Sequence, residues 1–203
     1  MARTLDFYFD FISPYSYLTH QSVPAIAARF GYQLVYKPVD LKTAKLLAGN
    51  TAPRTVDIPL KIRYSRVDQQ RWAKRLGVPI QAPRGSHDSA RLNRGTYYAE
   101  ERGCTGDFVT CAWRIVRGEG NGVAEEATFR AVARALGWNE EEFLAYTDSA
   151  AAIALYESAP AAAHARGVFG VPTMMIADEM WWGNDRIDFL EERLDELARS
   201  DER

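Results

Sequence analysis

Apolar and polar positions alternate at the start of the chain. Over residues 5–12 every second side chain is apolar, which predicts a strand with one buried face. The residues on that face are Leu5, Phe7, Phe9 and Phe11. Serine is a favoured N-cap and proline a favoured first helical residue, so Ser13 and Pro14 predict a helix that runs to about Gly31. A second strand is predicted over residues 32–38, which makes a βαβ unit with parallel strands.

The middle of the chain has the spacing of helices. A loop over residues 48–59 is rich in glycine, asparagine and proline, and glycine or proline also separates the helical segments that follow it. The predicted helices are Arg66–Leu76, Ser89–Arg102, Phe108–Val116, Glu125–Leu136 and Glu140–Ser158. Pro160 is expected to break or restart the last of them.

The C-terminal segment returns to the pattern of strands. Residues 168–176 and 180–182 predict two paired strands joined by a tight turn at Asp178-Glu179. A final helix is predicted over about residues 186–199. The chain therefore closes with a β-β-α unit.

The whole order of elements is β-α-β, a block of helices, and β-β-α. Without the block this is the order of a thioredoxin-like fold, so we predict the α/β class with a large all-helical insertion between the halves of one sheet. The predicted thioredoxin-like domain is residues 1–45 together with 165–203. The predicted inserted helical domain is residues 46–164.

Composition and charge exclude several classes of function. Among 203 residues, 25 are basic and 27 acidic, and a net charge of −2 is too balanced for binding nucleic acid mainly through its phosphates. No apolar run reaches the ~18 residues that span a bilayer, so no membrane partner is expected. Two cysteines exclude a disulfide framework. The start of the chain lacks the apolar run of a signal peptide, and we expect a soluble protein of the cytoplasm.

Three places in the sequence are candidates for chemistry. Ser13 lies where a strand gives way to a helix, near unpaired backbone N–H groups that favour an anion, although it can equally be a plain N-cap. In Val171-Pro172 the proline cannot donate to a sheet, which by itself indicates only a turn. Asn184-Asp185 either caps a helix or forms a site in which Asp185 binds an ammonium group and backbone N–H groups bind a carboxylate.

Other kinds of site are not supported. His20 follows Ser13 along one predicted helix, at a spacing that gives poor reach for a Ser–His pair. The three histidines and two cysteines have no metal-ligand spacing, so no metal is expected. Cys104 and Cys111 lie in a helical region and are expected to face the core rather than to act in redox chemistry.

Four blocks of sequence go beyond these patterns. The opening block, DFYFDFISPYSYL at residues 6–18, resembles the 2-hydroxychromene-2-carboxylate isomerases, which belong with the kappa-class glutathione transferases in a disulfide-oxidoreductase-like branch of the thioredoxin fold. Three more blocks match in order: Gly49-Asn50, KIRYSRVDQQRWA at 61–73, and VFGVPT at 168–173 continuing to EMWWGNDR at 179–186. The resemblance spans essentially the whole chain.

The resemblance implies that glutathione is the cofactor. Redox relatives carry a C-x-x-C where this chain has SPYS at residues 13–16, so dithiol chemistry is lost. By position, the Ser13 hydroxyl would hydrogen-bond the glutathione thiol and favour its thiolate. The expected glutathione-binding residues are Asn50, Lys61, Val171, Pro172, Asn184 and Asp185. The expected substrate-pocket residues are Tyr15, Phe169 and Trp182.

The resemblance also implies a division of labour. Val171, which precedes a proline whose peptide bond is usually cis in such sheets, would pair its backbone with the cysteinyl unit. Asn184 and Asp185 would hold the γ-glutamyl end. Asn50 and Lys61 would reach the glycyl end or the substrate carboxylate.

The reaction implied is the conversion of a small aromatic substrate, 2-hydroxychromene-2-carboxylate, to trans-o-hydroxybenzylidenepyruvate by reversible thiolate addition. Members of the family are commonly homodimers, which we expect here. Two alternatives stay open: a kappa-like glutathione transferase acting on another aromatic or enone substrate, and a non-catalytic thioredoxin-fold binding module.

Overall fold

A four-stranded mixed sheet forms the centre of the structure, a computed structural model that describes residues 3–201. The strands are β1 Thr4–Phe9, β2 Gln33–Pro38, β3 Thr173–Ile176 and β4 Glu179–Trp182, in the spatial order β2-β1-β3-β4. β1 runs parallel to β2 and antiparallel to β3, which pairs antiparallel with β4. The pairing of β1 with β3 brings the two ends of the chain into one sheet, as the order of elements predicted.

Helices cover this sheet and fill the segment between β2 and β3. They are α1 Pro14–His20, α2 Val23–Arg29, α3 Leu41–Leu47, α4 Pro59–Leu76, α5 Ala90–Glu101, α6 Thr105–Trp113, α7 Glu126–Ala135, α8 Glu140–Thr147, α9 Ala150–Ala165 and α10 Ile187–Asp201. Short 3₁₀ turns at Thr55–Asp57 and Asn184–Arg186 precede α4 and α10, and a π-helical turn at Arg114–Gly118 follows α6. Between residues 3 and 201, none of the helices combines the length and apolar character that a membrane crossing requires.

Two helices predicted as continuous are each divided in the structure. The helix expected from Ser13 to Gly31 is α1 and α2, because Pro24 lies in the first turn of α2 and has no N–H to continue α1. The helix expected over 140–158 is α8 and α9, because the Ser149 hydroxyl caps a new helix by accepting from the Ala152 N–H. The prediction of a break at Pro160 was wrong, since α9 continues through it with the proline buried.

Several boundaries also differ from the sequence pattern. β1 ends at Phe9, so Phe11 lies beyond the strand although it is fully buried. β3 begins only at Thr173, after Pro172. α4 begins at Pro59 rather than Arg66, because the proline suits a first helical position.

One hydrophobic core joins the sheet to the helical block. Phe9 and Phe11 are buried against Trp113 of α6, and the rings of Phe11 and Trp113 have centroids 4.6 Å apart. α3 crosses the boundary at residues 45/46 that the sequence suggested. Both predicted domains contribute to this one core, and the division into two domains therefore stays a prediction.

Asp10, immediately after β1, is a carboxylate almost completely buried. Its Oδ1 accepts hydrogen bonds from the Ser89 hydroxyl at 2.5 Å and the Asn93 amide at 2.9 Å. Backbone N–H groups complete the set, from Ile12 to Oδ1 at 3.1 Å and from Leu41 to Oδ2 at 3.0 Å. Burial raises the pKa of Asp10, and these donors act against that rise. The carboxylate thereby ties the end of β1 to the first residue of α3 and to α5.

We expect Asp10→Asn to lower the free energy of unfolding by about 1–3 kcal/mol, because the new amide places N–H donors against groups that already donate. Urea unfolding followed by circular dichroism measures the change. Asp178→Asn, in the exposed turn between β3 and β4, is the matched control and should shift stability by less than about 0.5 kcal/mol. Equal unfolding midpoints for the two variants would contradict the anchoring role of Asp10.

Candidate active site

A cavity of about 440 Å³ opens between α1, α4 and the loops that flank the β3–β4 hairpin. Its lining residues are Tyr15, Tyr64, Asp68, Trp72, Val171, Pro172, Trp182, Gly183, Asn184 and Asp185. The fold therefore brings together residues from three distant parts of the chain. Most of the residues proposed for the site from sequence are in this set.

Ser13 caps α1 two residues before Tyr15, which lines the cavity, and is itself 5% exposed and not part of the lining. Its Oγ accepts a hydrogen bond from the Ser16 N–H at 3.1 Å, which confirms the N-cap prediction. A serine hydroxyl has two acceptor positions and one proton, so the cap leaves the O–H proton unused. Among residues 3–201 the Ser13 hydroxyl donates no hydrogen bond. The cap and a catalytic hydrogen bond are thus compatible uses of one hydroxyl.

The loop before β3 presents unpaired backbone at the cavity. The Val171-Pro172 peptide bond is cis. Across the described part of the chain, neither the N–H nor the C=O of Val171 has a hydrogen-bond partner. The carbonyl of Pro172 accepts from the Gly183 N–H at 3.0 Å, which links this loop to the segment after β4. Val171 consequently offers one donor and one acceptor, which suits an extended peptide.

Asn184 and Asp185 follow β4 in the 3₁₀ turn before α10. Asn184 is 8% exposed, and its Nδ2 is buried with no hydrogen-bond partner among the described residues. Asp185 is about half exposed and has a long contact of 3.5 Å with Arg186. Gly183 permits this turn: its φ is 111°, and a Cβ there would lie 2.6 Å from the Asp185 Oδ1.

Four residues predicted for the site lie outside the cavity lining: Ser13, described above, and Asn50, Lys61 and Phe169. Asn50 is exposed, and its Oδ1 accepts from the Ala52 N–H at 3.3 Å. Lys61 is exposed in the first turn of α4. Phe169 packs edge-on against Trp182 with ring centroids 4.9 Å apart, and both side chains are exposed. The roles proposed for all four stay predictions.

Three lining residues of α4 were given no role by the sequence reading: Tyr64, Asp68 and Trp72. Asp68 accepts a hydrogen bond from the Tyr15 hydroxyl at 2.9 Å. The signal available was the block at 61–73, which contains all three at helical spacing. That block does not say which face of the helix meets α1, because the packing decides it.

The sequence also raised a Ser–His pair, a metal site and redox cysteines, and the structure shows where those residues lie. Among the described residues no hydrogen bond joins Ser13 to His20; instead His20 Nε2 lies 3.1 Å from the Tyr36 hydroxyl, and burial lowers the pKa of His20 to about 4. No cluster of three metal-binding side chains occurs within residues 3–201. Cys104 and Cys111 are free and pack beside the core.

Comparison with known proteins finds one matching family and similar proteins that share one name. Residues 4–195 match the family described as DSBA-like thioredoxin domain. The chain is 40% identical over 195 residues to the 2-hydroxychromene-2-carboxylate isomerase of Pseudomonas putida, with 96% of each chain covered. It is 37% identical over 194 residues to the protein of the same name from Sphingobium xenophagum, covering 96% of this chain and 99% of that one.

Solved structures of other proteins are also similar to this chain. A selenomethionine structure of 2-hydroxychromene-2-carboxylate isomerase has a TM-score of 0.92 at 39% identity, covering 98% of this chain and 97% of that one. The cytosolic disulfide reductase DsbM from Pseudomonas aeruginosa with GSH has a TM-score of 0.69 at 17% identity, covering 97% and 99%, and shares the fold.

These likenesses extend over almost the entire chain, in sequence and in three dimensions. The predicted class, a thioredoxin-like sheet interrupted by a helical insertion, is confirmed. The resemblance seen in the four sequence blocks is confirmed as well. The chain belongs to the DsbA-like thioredoxin domain family and, within it, to the 2-hydroxychromene-2-carboxylate isomerases.

Proposed function

We propose that the protein is a glutathione-dependent isomerase that converts 2-hydroxychromene-2-carboxylate to trans-o-hydroxybenzylidenepyruvate. The isomerase activity follows from the family. The observation that carries the glutathione dependence is the unused proton of the buried Ser13 hydroxyl, at the start of the helix whose Tyr15 lines the cavity. A hydroxyl in that position stabilises a thiolate by a charge-assisted hydrogen bond. The thioredoxin-like neighbour DsbM, described with GSH, supports the same cofactor class.

The polar groups of the cavity fit glutathione. The free N–H and C=O of Val171 suit the backbone of a cysteinyl unit. Buried polar atoms are normally hydrogen-bonded, so the orphaned Nδ2 of Asn184 supports an acceptor on a bound ligand. Asp185 is beside it and supplies a negative charge for the ammonium group of a γ-glutamyl end.

Glutathione, when bound, would supply a thiolate nucleophile for reversible addition to the conjugated double bond. The chain's own contribution is to hold and orient. Ser13 donates to the sulfur, and Tyr15 and Trp182 provide aromatic surface for the substrate. Phe169 keeps Trp182 in place. Asn50 and Lys61 are proposed to reach the glycyl end or the substrate carboxylate.

The direct test is an absorbance assay with 2-hydroxychromene-2-carboxylate, with and without glutathione. Conversion to the trans product only with glutathione, and with glutathione recovered unchanged, is the expected result. A stable thioether would indicate the transferase alternative. If neither product forms and calorimetry shows no glutathione binding, the result would support the alternative of a non-catalytic binding module.

We expect Ser13→Ala to lower kcat by roughly 10²-fold, because the thiolate loses its donor. The variant also loses a helix cap worth about 1 kcal/mol, so stability must be controlled. Ser149→Ala removes the corresponding cap of α9, away from the cavity, and should keep its kcat. Equal activity of Ser13→Ala and the parent would remove Ser13 from the mechanism.

We expect Asp185→Ala to weaken glutathione binding by about 1.5 kcal/mol, the low end for a charged hydrogen bond because the side chain is half exposed. Isothermal calorimetry of the protein with glutathione measures this. Asp178→Ala changes charge equally in an exposed turn and should bind as the parent does. Unchanged affinity of Asp185→Ala would take that carboxylate out of the site.

We also propose a homodimer working in the cytoplasm, where glutathione keeps thiols reduced. The free state of both cysteines is consistent with that compartment. An exposed apolar stripe on α4, with Leu60 at 69% and Val67 at 46% exposure, supports association between copies. Light scattering after size exclusion should give twice the mass of one chain, and a monomer mass at assay concentrations would contradict it.

A further inference from the structure

The Tyr15 hydroxyl and the Asp68 carboxylate form a hydrogen-bonded pair in the wall of the cavity. Tyr15 comes from α1, two residues after Ser13, and donates to Asp68 Oδ2 across 2.9 Å. Both side chains line the same cavity as Val171 and Trp182. The pair therefore faces the space proposed for substrate, and neither thiol binding nor the double-bond rotation uses it.

Neighbouring side chains orient the phenol. The Tyr15 oxygen is 3.4 Å from the Ser65 hydroxyl, which itself accepts from the Gln69 amide at 2.9 Å. A phenol oxygen that donates its only proton to Asp68 still has acceptor capacity beyond the contact with Ser65. Tyr15 is thus set to accept a proton from a group in the cavity while it gives its own to the carboxylate.

The electrostatic setting holds the proton on Tyr15 until a group in the cavity supplies another. Within residues 3–201 no ion pair joins Asp68 to a basic side chain, so its charge is not neutralised by a cation. Burial raises the pKa of Tyr15, which keeps the phenol protonated at neutral pH. The other titratable groups around the cavity are Tyr64, also on α4, and Asp185, from the turn after β4.

The substrate of the proposed reaction needs a proton moved before its double bond can isomerise. Its C2 carries both a hydroxyl and the ring oxygen, which makes it a cyclic hemiketal. Opening breaks the bond between C2 and the ring oxygen; the C2 hydroxyl loses its proton and becomes a carbonyl, and the ring oxygen gains a proton and becomes a phenol. No oxidant, reductant or net proton is required.

We propose that Tyr15 and Asp68 relay this proton and make the protein a catalyst of ring opening in its own right, an inference that rests on the proposed substrate. Tyr15 Oη takes the proton of the C2 hydroxyl while its own proton passes to Asp68. The proton then returns through Tyr15 to the ring oxygen, and both side chains end as they began. Tyr15 is the catalytic residue, and Asp68 acts through it.

Ring opening can be measured without glutathione. Semicarbazide traps the opened keto acid, and at saturating semicarbazide the loss of chromene absorbance reports the opening rate. The protein alone should accelerate this rate, with no trans product. General acid–base groups contribute roughly 10²–10⁴-fold, so Tyr15→Phe should lower the protein-catalysed rate about 10²-fold and Asp68→Asn about 10-fold.

Asp68→Asn separates a relay from a structural bond. Its amide oxygen still accepts from Tyr15 and keeps the geometry, but it cannot take a proton. Asp68→Asn should therefore change the pH profile of the opening rate, and Asp68→Glu, which again offers a proton acceptor, should return the rate and the profile of the parent. Because Asp185 also faces the cavity, this loss and return assigns the effect to Asp68.

Tyr146→Phe is the matched control, since Tyr146 donates to Glu101 at 2.7 Å in a phenol–carboxylate pair on α8 and α5 outside the cavity. It should keep the parent's opening rate and pH profile. A parent-like rate in Asp68→Asn, or a uniform loss with an unchanged pH profile, would overturn the relay. If the protein forms the trans product with glutathione but does not accelerate ring opening, only the relay is overturned. If it accelerates ring opening but forms no trans product with glutathione, only the proposed isomerisation is overturned. Absence of both would overturn both.

Discussion

The buried carboxylate of Asp10 is the constraint on which the arrangement of the site depends. A charge in the interior is tolerated only when donors surround it. Here the donors come from the loop after β1, from α3 and from α5. Satisfying one carboxylate therefore fixes three elements at once. The backbone carbonyl of Asp10 also accepts from the Ser13 N–H at 2.9 Å, so the start of α1 inherits this fixed position.

The loop between β1 and α1 is held from a second side by Arg117. This side chain is buried, and its guanidinium donates to the carbonyl of Ile12. Burial lowers the pKa of Arg117 to about 10, while the charge of Asp10 acts to raise it. Arg117 lies in the π-helical turn after α6, so the inserted helices take part in placing Ser13. The helical block therefore helps to position the site and does not only cover it.

Around this anchor the same few groups serve both structure and chemistry. The Ser13 hydroxyl caps α1 with a lone pair and keeps its proton, because an alcohol offers both roles. The phenol of Tyr15 joins α1 to α4 and faces the cavity. Gly183 makes the turn that brings Asn184 and Asp185 to the cavity, because its φ of 111° is open to glycine and disfavoured for other residues. Positioning and reactivity are thus difficult to separate by sequence inspection alone.

The sequence by itself determined the fold class, the β-α-β and β-β-α ends, the cap at Ser13 and the family, because periodicity, capping and motif blocks are local features that one chain displays directly. The predictions made from sequence missed the break between α1 and α2 and the new helix that begins after Ser149, and they wrongly placed a break at Pro160. At each of these positions one short-range signal outweighed another. Only the tertiary structure decided that Asp68 and Trp72 share a cavity with Tyr15. It likewise decided that Ser13, Asn50, Lys61 and Phe169 lie outside the lining of that cavity. The reason is that such neighbours are set by which face of α4 packs on α1 and by the pairing of β1 with β3, contacts between segments far apart in sequence whose geometry no local pattern encodes.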